Sequence, residues 1–237
     1  MGYIKNELLS KKYLVVAALA LITVGFHIYL IFTGLMPNLI SRPLHLALVL
    51  PWIFLLSYDK TVSNFTRYVG YILLICALFS TYFIITNHVD LEDQYGSLEG
   101  NLQYFVAISL LLSVLEMARR SIKLALPLTA VIALAYGLWG HYIPGEFGHP
   151  EIPMDSFLGT LVIAEGGIFG TLTGISVNVV AVFVILGAFV GVGEGGNAFM
   201  SMSTKLAGRL RGGAAKVSVL ASAFFGSISG SASANVA

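Results

Sequence analysis

Residues 212–237 read GGAAKVSVLASAFFGSISGSASANVA, and this stretch is the most informative part of the chain. From residue 221 to residue 235, twelve of fifteen residues are Ala, Ser, Gly or Asn, and no charged residue follows Lys216. Small side chains let a backbone approach a neighbour closely, and hydroxyl and amide oxygens are ligands that hard cations prefer. The stretch therefore indicates a segment built for close approach rather than a plain lipid anchor.

The composition around this stretch is that of a membrane protein. Hydrophobic residues make up 57% of the 237 residues and charged residues only 11%, against about a quarter in soluble proteins. The net charge of +1 gives no indication of a nucleic-acid partner. The single cysteine, Cys76, lies in an apolar run and excludes an intramolecular disulfide and a cysteine metal cluster.

The hydropathy pattern predicts an all-α integral membrane fold with about six transmembrane helices. A helix needs roughly 20 mostly apolar residues to cross the hydrocarbon core, and the apolar–polar alternation of a membrane barrel is absent. The first apolar run is too long for a cleaved signal peptide and has no small-residue cleavage motif. The predicted spans are residues 13–34, 43–57, 68–86, 102–117, 124–142 and 176–193.

The basic residues predict a cytoplasmic N-terminus. With that orientation twelve of the thirteen lysines and arginines fall on the cytoplasmic side, and only Arg42 falls outside. The outer loops carry acidic residues instead, which supports the number of spans. The twelve inner residues are Lys5, Lys11, Lys12, Lys60, Arg67, Arg119, Arg120, Lys123, Lys205, Arg209, Arg211 and Lys216.

Residues 150–174 are glycine-rich and contain one acid of uncertain depth. The four-residue spacing of Gly166, Gly170 and Gly174 predicts one helical face that another backbone could approach. An interfacial or re-entrant segment packed on its neighbours is the plainer interpretation. Glu165 is a functional candidate if it lies at membrane depth, and otherwise a solvated interfacial acid.

Residues 197–211 predict an amphipathic helix along the cytoplasmic interface. Phe199, Met202, Leu206 and Leu210 recur at spacings of three, four and four, and cations flank this face near the lipid headgroups. Gly212 and Gly213 are expected to end the helix and permit a sharp turn. The helix is either an arm that couples a moving part to a scaffold or an ordinary surface helix.

Two interpretations of the final stretch follow from its residues alone. Gly and Ser sustain a helix poorly, so a break in mid-membrane could expose carbonyl oxygens to Na⁺ and amide N–H groups to an anion. Alternatively, Gly226 and Gly230 form a GxxxG pair on a packing helix.

Several motifs resemble one transporter family. The final stretch resembles the first re-entrant hairpin of the large membrane subunit of TRAP transporters, the tripartite ATP-independent periplasmic carriers. GHYIPG at 140–145, EGGIFG at 165–170, ILGAFVGVGEGG at 185–196 and LAGRLRGG at 206–213 are similar to fused permeases of the TAXI-type branch. In these permeases the small four-helix subunit precedes the large one. The resemblance is specific over residues 165–237 and only architectural over residues 1–120.

The resemblance implies two domains and a mechanism. Residues 1–120 are expected to form a small-subunit-like scaffold, and residues 121–237 the first part of a large-subunit-like transport domain, including the start of the hairpin. The implied function is Na⁺-coupled elevator transport of an organic acid across the bacterial inner membrane, with a periplasmic substrate-binding protein as partner and no organic cofactor. The hairpin-tip residues expected to contact Na⁺ and substrate are Ser229, Gly230, Ser231, Ser233 and Asn235.

The resemblance also predicts further helices and a second, inverted hairpin after Ala237, so the chain is expected to be an N-terminal fragment. A carrier of another hairpin-containing family remains an alternative. A membrane-embedded enzyme is less favoured, because the histidines are scattered and no HExxH or phosphate-binding GxxxxGK[ST] motif occurs. A metal site in the outer loop, from His141, Glu146, His149 and Glu151, is the one enzymatic feature to weigh against a solvated loop.

Overall fold

The computed structural model describes residues 11–34, 36–56, 63–122, 124–164 and 166–227, and every regular element in these ranges is helical. Two π-helical turns, Trp52–Leu56 and Ser176–Val180, follow α2 and α8, and a 3-10 turn, Gly140–Tyr142, follows α6. The α-helices are α1 (Lys11–Thr33), α2 (Asn38–Pro51), α3 (Asn64–Thr86), α4 (His88–Asp93), α5 (Gly100–Ile122), α6 (Ala125–Trp139), α7 (Met154–Val162), α8 (Thr171–Ile175), α9 (Ala181–Val192), α10 (Gly195–Ala207) and α11 (Gly213–Gly226).

Five helices in the described ranges are long and apolar enough to cross a membrane. They are Tyr13–Thr33, Asn38–Leu56, Asn64–Thr86, Gly100–Ile122 and Thr171–Val192. The span predicted at residues 124–142 is a shorter helix in the structure. Helix α6 has 15 residues and is about 22 Å long, which is less than the roughly 30 Å thickness of the hydrocarbon core. The all-α integral membrane fold is confirmed, with five helices of spanning length and further short apolar helices.

Local hydrogen bonds explain where two of the spans begin. The hydroxyl of Ser63 accepts a hydrogen bond from the backbone N–H of Thr66 at 3.3 Å and so caps the first turn of α3. Gln103 reaches back from the first turn of α5, and its Oε1 accepts the N–H of Glu99 at 2.7 Å. Both caps satisfy amide groups that a helix start otherwise leaves without a partner.

The described chain divides into two compact units. The first comprises the described residues between 11 and 23 and between 36 and 174, and the second comprises residues 24–34 and 175–227. One apolar core holds the first unit together, with Leu50 and Phe54 from α2 and its π-helical turn, Ile84 from α3 and Leu110 from α5 fully buried. The expected division at residues 120 and 121 stays a prediction.

Hydroxyl groups add to the packing between α3 and α5. Ser80 and Ser109 share a hydrogen bond of 2.6 Å across the two helices, and Ser113 donates to the backbone oxygen of Leu73 at 3.2 Å. Small side chains let the two backbones approach, and interhelical hydrogen bonds of this kind contribute about 0.6 kcal/mol each in membrane proteins.

Helix α7 packs against α5 and α6 in the same unit. The ring of Phe157 lies over Gly137 of α6, where a Cβ atom would come within 2.6 Å of Cε2. At its N-terminal end the Asp155 carboxylate accepts a hydrogen bond from Ser97 at 2.9 Å. A glycine contact and a hydrogen bond therefore fix this nine-residue helix on its neighbours.

Candidate functional site

The five predicted hairpin-tip residues lie outside the described residues. Ser229, Gly230, Ser231, Ser233 and Asn235 all follow the last described residue, Ser227. Glu165 also lies outside the described residues. The structure therefore describes the two helices that lead to the tip, α10 and α11, and these belong to the second compact unit.

Aromatic contacts pair the start of α10 with the C-terminal end of α11. The ring of Phe199 stacks on Phe224 with centroids 6.0 Å apart and meets the edge of Phe225 at 6.2 Å. These offset and edge-to-face arrangements are the favoured geometries for aromatic pairs. The pairing brings the C-terminal end of α11, directly before the Ser- and Gly-rich segment, beside the start of α10.

Most of the predicted apolar face of α10 is exposed, and a different set of residues packs inside the protein. The buried residues are Ser203 and Ala207, which follow Phe199 at intervals of four, whereas Met202, Leu206 and Leu210 are exposed. The helix also ends at Ala207, short of the predicted residue 211. Small side chains face α11 because they permit close helix packing, and the larger apolar side chains face away.

The turn between α10 and α11 depends on glycine. Gly212 has φ +72° and occupies the left-handed region that other residues avoid. A Cβ on Gly213 would overlap the backbone oxygen of Gly208. The predicted sharp turn at these glycines is confirmed, and it makes α10 and α11 a helical hairpin.

An apolar groove runs beside this turn. It has a volume of about 440 Å³, and Lys216 is its one charged lining residue. The exposed side chains of Leu206 and Leu210 line the groove together with Val219 of α11. This groove and the exposed face of α10 form a continuous apolar surface of the hairpin.

The glycines of residues 166–174 do not share a helical face. Gly166 and Gly170 lie in an irregular loop between α7 and α8, and only Gly174 is helical. The prediction of one glycine face was wrong because the helix breaks after Val162. A Cβ on Gly167 would overlap the backbone oxygen of Leu161, so the loop folds back closely on α7.

Arg42 of α2 holds this loop in place. Its Nη1 donates a hydrogen bond to the backbone oxygen of Phe169, and its guanidinium lies against Gly174, where a Cβ would be 3.1 Å from Nε and Nη2. Sequence reasoning placed Arg42 outside the inner group of cations but gave it no role. Its partner, Phe169, is 127 residues away in the sequence. The one feature of the sequence that set Arg42 apart was its position on the other side of the predicted spans from the remaining basic residues.

His149 joins the loop after α6 to the end of that helix. Its Nε2 lies 2.9 Å from the backbone oxygen of Tyr136, and its Nδ1 lies 2.7 Å from that of Pro150. Both partners are acceptors, so both nitrogens donate only in the imidazolium form. The Tyr136 carbonyl belongs to the last turn of α6, where the helix dipole also favours a cation.

This geometry argues against the metal site considered for the loop that carries His141, Glu146, His149 and Glu151. With both ring nitrogens directed at carbonyl oxygens, His149 presents no free lone pair to a metal ion. Within the described part of the chain, no group of three or more His, Cys, Asp or Glu residues is placed to hold a metal.

Raising the pH should loosen the loop that His149 holds. The hydrogen bond to Tyr136, followed by that to Pro150, raises the pKa of His149 above its ordinary value of about 6.5. The stabilisation is therefore fully present below about pH 6.5 and is lost as the pH rises through the folded-state pKa. Melting curves of the purified protein from about pH 5 to pH 9 should show this loss in the wild type.

His149→Gln should remove that part of the pH dependence. His88→Gln is the matched control, because His88 makes only one ring contact, to the backbone oxygen of Ile85 at 3.0 Å. Equal pH dependence in wild type and His149→Gln would refute the assignment. The titratable neighbours that both variants retain in this loop are His141, Glu146, Glu151 and Tyr136.

The second half of the chain, which contains α10 and α11, matches a known protein family. The family model described as "Tripartite ATP-independent periplasmic transporter, DctM component" matches residues 109–237, which is more than half of the chain. This chain belongs to the DctM family. No curated protein and no solved structure matches it.

The DctM match begins within α5 and includes the loop after α7, the α10–α11 hairpin and residues 229–235. The chain is therefore a multi-pass membrane protein of a transporter family. Arg42 lies before the matched residues, yet its hydrogen bond is to Phe169 within them. The first unit thus combines helices from before and from inside the DctM match.

Proposed function

We propose that this chain is part of the permease of a Na⁺-coupled, binding-protein-dependent secondary transporter for organic acids. The observation that carries the proposal is the α10–α11 hairpin inside the DctM match, which leads directly to the segment containing Ser229 to Asn235. The matched family supports the transporter class. The Na⁺ coupling, the substrate class and the elevator motion are the parts we add.

The chemistry of the tip supports Na⁺ and carboxylate as its ligands. Ser229, Ser231 and Ser233 offer hydroxyl oxygens and Asn235 an amide oxygen, and hard cations are bound by oxygen. A helix that breaks at Gly230 frees carbonyl oxygens for a cation and N–H groups for an anion. One short segment can therefore serve both the coupling ion and an anionic substrate.

The proposed division of labour follows the resemblance. Residues 1–120 act as a small-subunit-like scaffold, and residues 121–237 begin the moving transport domain. A single buried core resists deformation, and the core that joins α2, α3 and α5 supports the scaffold role. Leu158 and Val162 of α7 lie in the same core, so this first part of residues 121–237 packs with the scaffold. The exposed apolar face of α10 supports a position for the α10–α11 hairpin at the cytoplasmic membrane interface.

The proposed setting is the bacterial inner membrane with a cytoplasmic N-terminus. The partners are a periplasmic substrate-binding protein, which delivers the organic acid, and the remaining large-subunit segments with the second hairpin. The excess of basic residues on one side of the predicted spans supports this orientation.

Uptake by the complete permease in proteoliposomes tests the function. We expect radiolabelled organic-acid uptake to require both an inward Na⁺ gradient and the cognate binding protein. A K⁺ gradient of the same size and omission of the binding protein are the controls. Uptake that is indifferent to both conditions contradicts the proposal.

Replacement of tip residues tests the site. Ser231→Ala and Asn235→Ala should each lower Na⁺-driven uptake about tenfold or more, because each removes an oxygen ligand of a charged group. Ser121→Ala is the matched control, since this exposed serine bonds only to the backbone oxygen of Met117 at 2.9 Å. Normal uptake with an unchanged Na⁺ dependence in both tip variants would place the ion site elsewhere while leaving the transporter class intact.

A further inference from the structure

An apolar groove lies between α3, α5 and α6 in the first compact unit. Its volume is about 560 Å³, within the usual range of small-molecule sites. Nine of its twelve lining residues are apolar, including Val69 of α3, Leu112 of α5 and Val131 of α6. The lining residues of α3 run from Phe65 to Leu73, a rise of eight residue steps, so the groove is about 12 Å long.

The polar lining residues of this α3–α5–α6 groove lie at one end. Thr66 belongs to the first turn of α3, and Glu116 and Arg119 belong to the last two turns of α5. The start of α6 lies at the same end, because Leu124 and Pro127 also line the groove. The groove is therefore amphiphilic, with an ionic mouth at the helix ends and an apolar interior.

The ionic mouth carries a net positive charge. Glu116 accepts hydrogen bonds from Nε of Arg119 at 2.7 Å and from Nε of Arg120 at 2.8 Å, so one carboxylate faces two guanidinium groups. Arg120 has little capacity to bind a ligand, because its side chain is only 10% exposed and its Nη2 donates a hydrogen bond to the backbone oxygen of Thr66 at 3.2 Å.

Arg119 is the cation that remains accessible at the mouth. Its side chain is 45% exposed, and its two hydrogen bonds to Glu116 use two of the five N–H donors of a guanidinium. The remaining donors can bind an anionic oxygen beside the carboxylate. Phosphate is one of the anions whose geometry matches the donors of a guanidinium.

We propose that the α3–α5–α6 groove binds one anionic phospholipid, with an acyl chain in the apolar interior and the phosphate at Arg119. The groove opens along helices of membrane-spanning length, so lipid is the amphiphile that surrounds it. The ionic end coincides with the basic, predicted cytoplasmic side, where anionic lipids contribute about 1 kcal/mol per nearby basic residue. The lipid wedges between α6 and the α3–α5 pair.

Native mass spectrometry of the delipidated full chain tests the proposal. With dioleoyl phosphatidylglycerol as the probe, the wild type should retain one lipid more tightly than the rest. Arg119→Gln should weaken that binding about fivefold, the equivalent of one basic contact. Val131→Trp should prevent it by filling the interior, and its position at 46% exposure lets the fold tolerate the larger side chain.

Matched controls separate this site from general adhesion. Arg209→Gln removes an exposed cation elsewhere, and Val184→Trp adds the same bulk to an exposed position of α9; both should bind as the wild type does. Dioleoyl phosphatidylcholine tests the charge, and inorganic phosphate tests whether the headgroup suffices without a chain.

The outcomes decide between lipid and other occupants. Weaker binding of phosphatidylcholine and no competition by phosphate support a lipid with an anionic headgroup. Displacement of the lipid by phosphate alone would show a simple anion site and overturn the proposal. Equal phosphatidylglycerol retention by wild type, Arg119→Gln and Val131→Trp would show that protein fills the groove or that it stays empty, and would also overturn it.

Discussion

Replacing Gly159 with alanine should lower the melting temperature of the purified protein by about 6–12 °C, for a loss of about 3 kcal/mol. Gly159 lies in the middle of α7, where the helix crosses the turn before α5. A methyl group there would overlap the backbone oxygen of Gly96 and crowd the N–H of Leu98. Since both obstacles are backbone atoms, no rotation of a side chain can make room.

The turn cannot easily move away from α7. Ser97 donates to the Asp155 carboxylate at 2.9 Å, and Gly96 itself has φ +84°, a conformation restricted almost to glycine. A shift of the turn would therefore break a hydrogen bond or strain a second glycine. The clash should be relieved instead by displacing α7 from α5, which exposes the buried Leu158 and Val162.

Heating followed by fluorescence-detected size exclusion provides the measurement. Gly191→Ala is the matched control, because this helical glycine of α9 has no atom within 4 Å of its Cβ position. That control should be neutral or slightly stabilising, by up to about 1 kcal/mol, since alanine favours helix. A Gly159→Ala protein that melts with the Gly191→Ala protein would show that α7 does not pack as described.

Hydropathy located the long spans well because burial in lipid requires apolar side chains over a fixed length. It misplaced their ends where helices continue through polar residues. The span predicted at residues 102–117 is α5, which extends to Ile122 because Glu116 pairs with Arg119 and Arg120 at its end. The span predicted from residue 43 begins at Asn38, since Pro43 lies inside the helix rather than at its start.

The parts that sequence could not supply depend on distant contacts. Arg42 donates a hydrogen bond to the loop at Phe169, which is remote in sequence, and no local sequence pattern predicts this contact. The hydrophobic pattern of α10 predicted its apolar stripe but not its packing face, because such a pattern does not show which residues contact another helix. In a membrane, small residues such as Ser203 and Ala207 mark the contact better than large apolar ones.

The tip of the predicted re-entrant hairpin, residues 229–235, is the opposite case, because only the sequence gives information about it. Its function was inferred from the chemistry of Ser231, Asn235 and their neighbours and from the resemblance, and it stays a prediction. What the structure adds is the route to the tip: a glycine turn at Gly212 and the aromatic contacts of Phe199 with α11. A local sequence motif can thus indicate the transporter family, whereas the packing of the helices that lead to it is seen only in the tertiary structure.

Replacing Glu116 with glutamine should cost about 1.5–3 kcal/mol of stability, because it removes the charged hydrogen-bond partner of the largely buried Arg120. The Arg120 side chain is 10% exposed and that of Glu116 17%, so water can replace little of the lost interaction. Arg120 also lies over the Phe54 ring, 4.7 Å from its centroid, and donates to the backbone oxygen of Thr66. Loosening Arg120 therefore weakens the junction of α2, α3 and α5 together.

A double-mutant cycle isolates this effect. Glu116→Gln combined with Arg120→Met removes both charges and should recover most of the stability lost in Glu116→Gln alone, since an apolar replacement of a buried pair is often neutral. Glu92→Gln, at an exposed position of α4, is the control for loss of a surface carboxylate and should change stability by less than about 0.5 kcal/mol. Additive effects of the two replacements would contradict the coupling, because independent residues add and a charge pair that shares one junction does not.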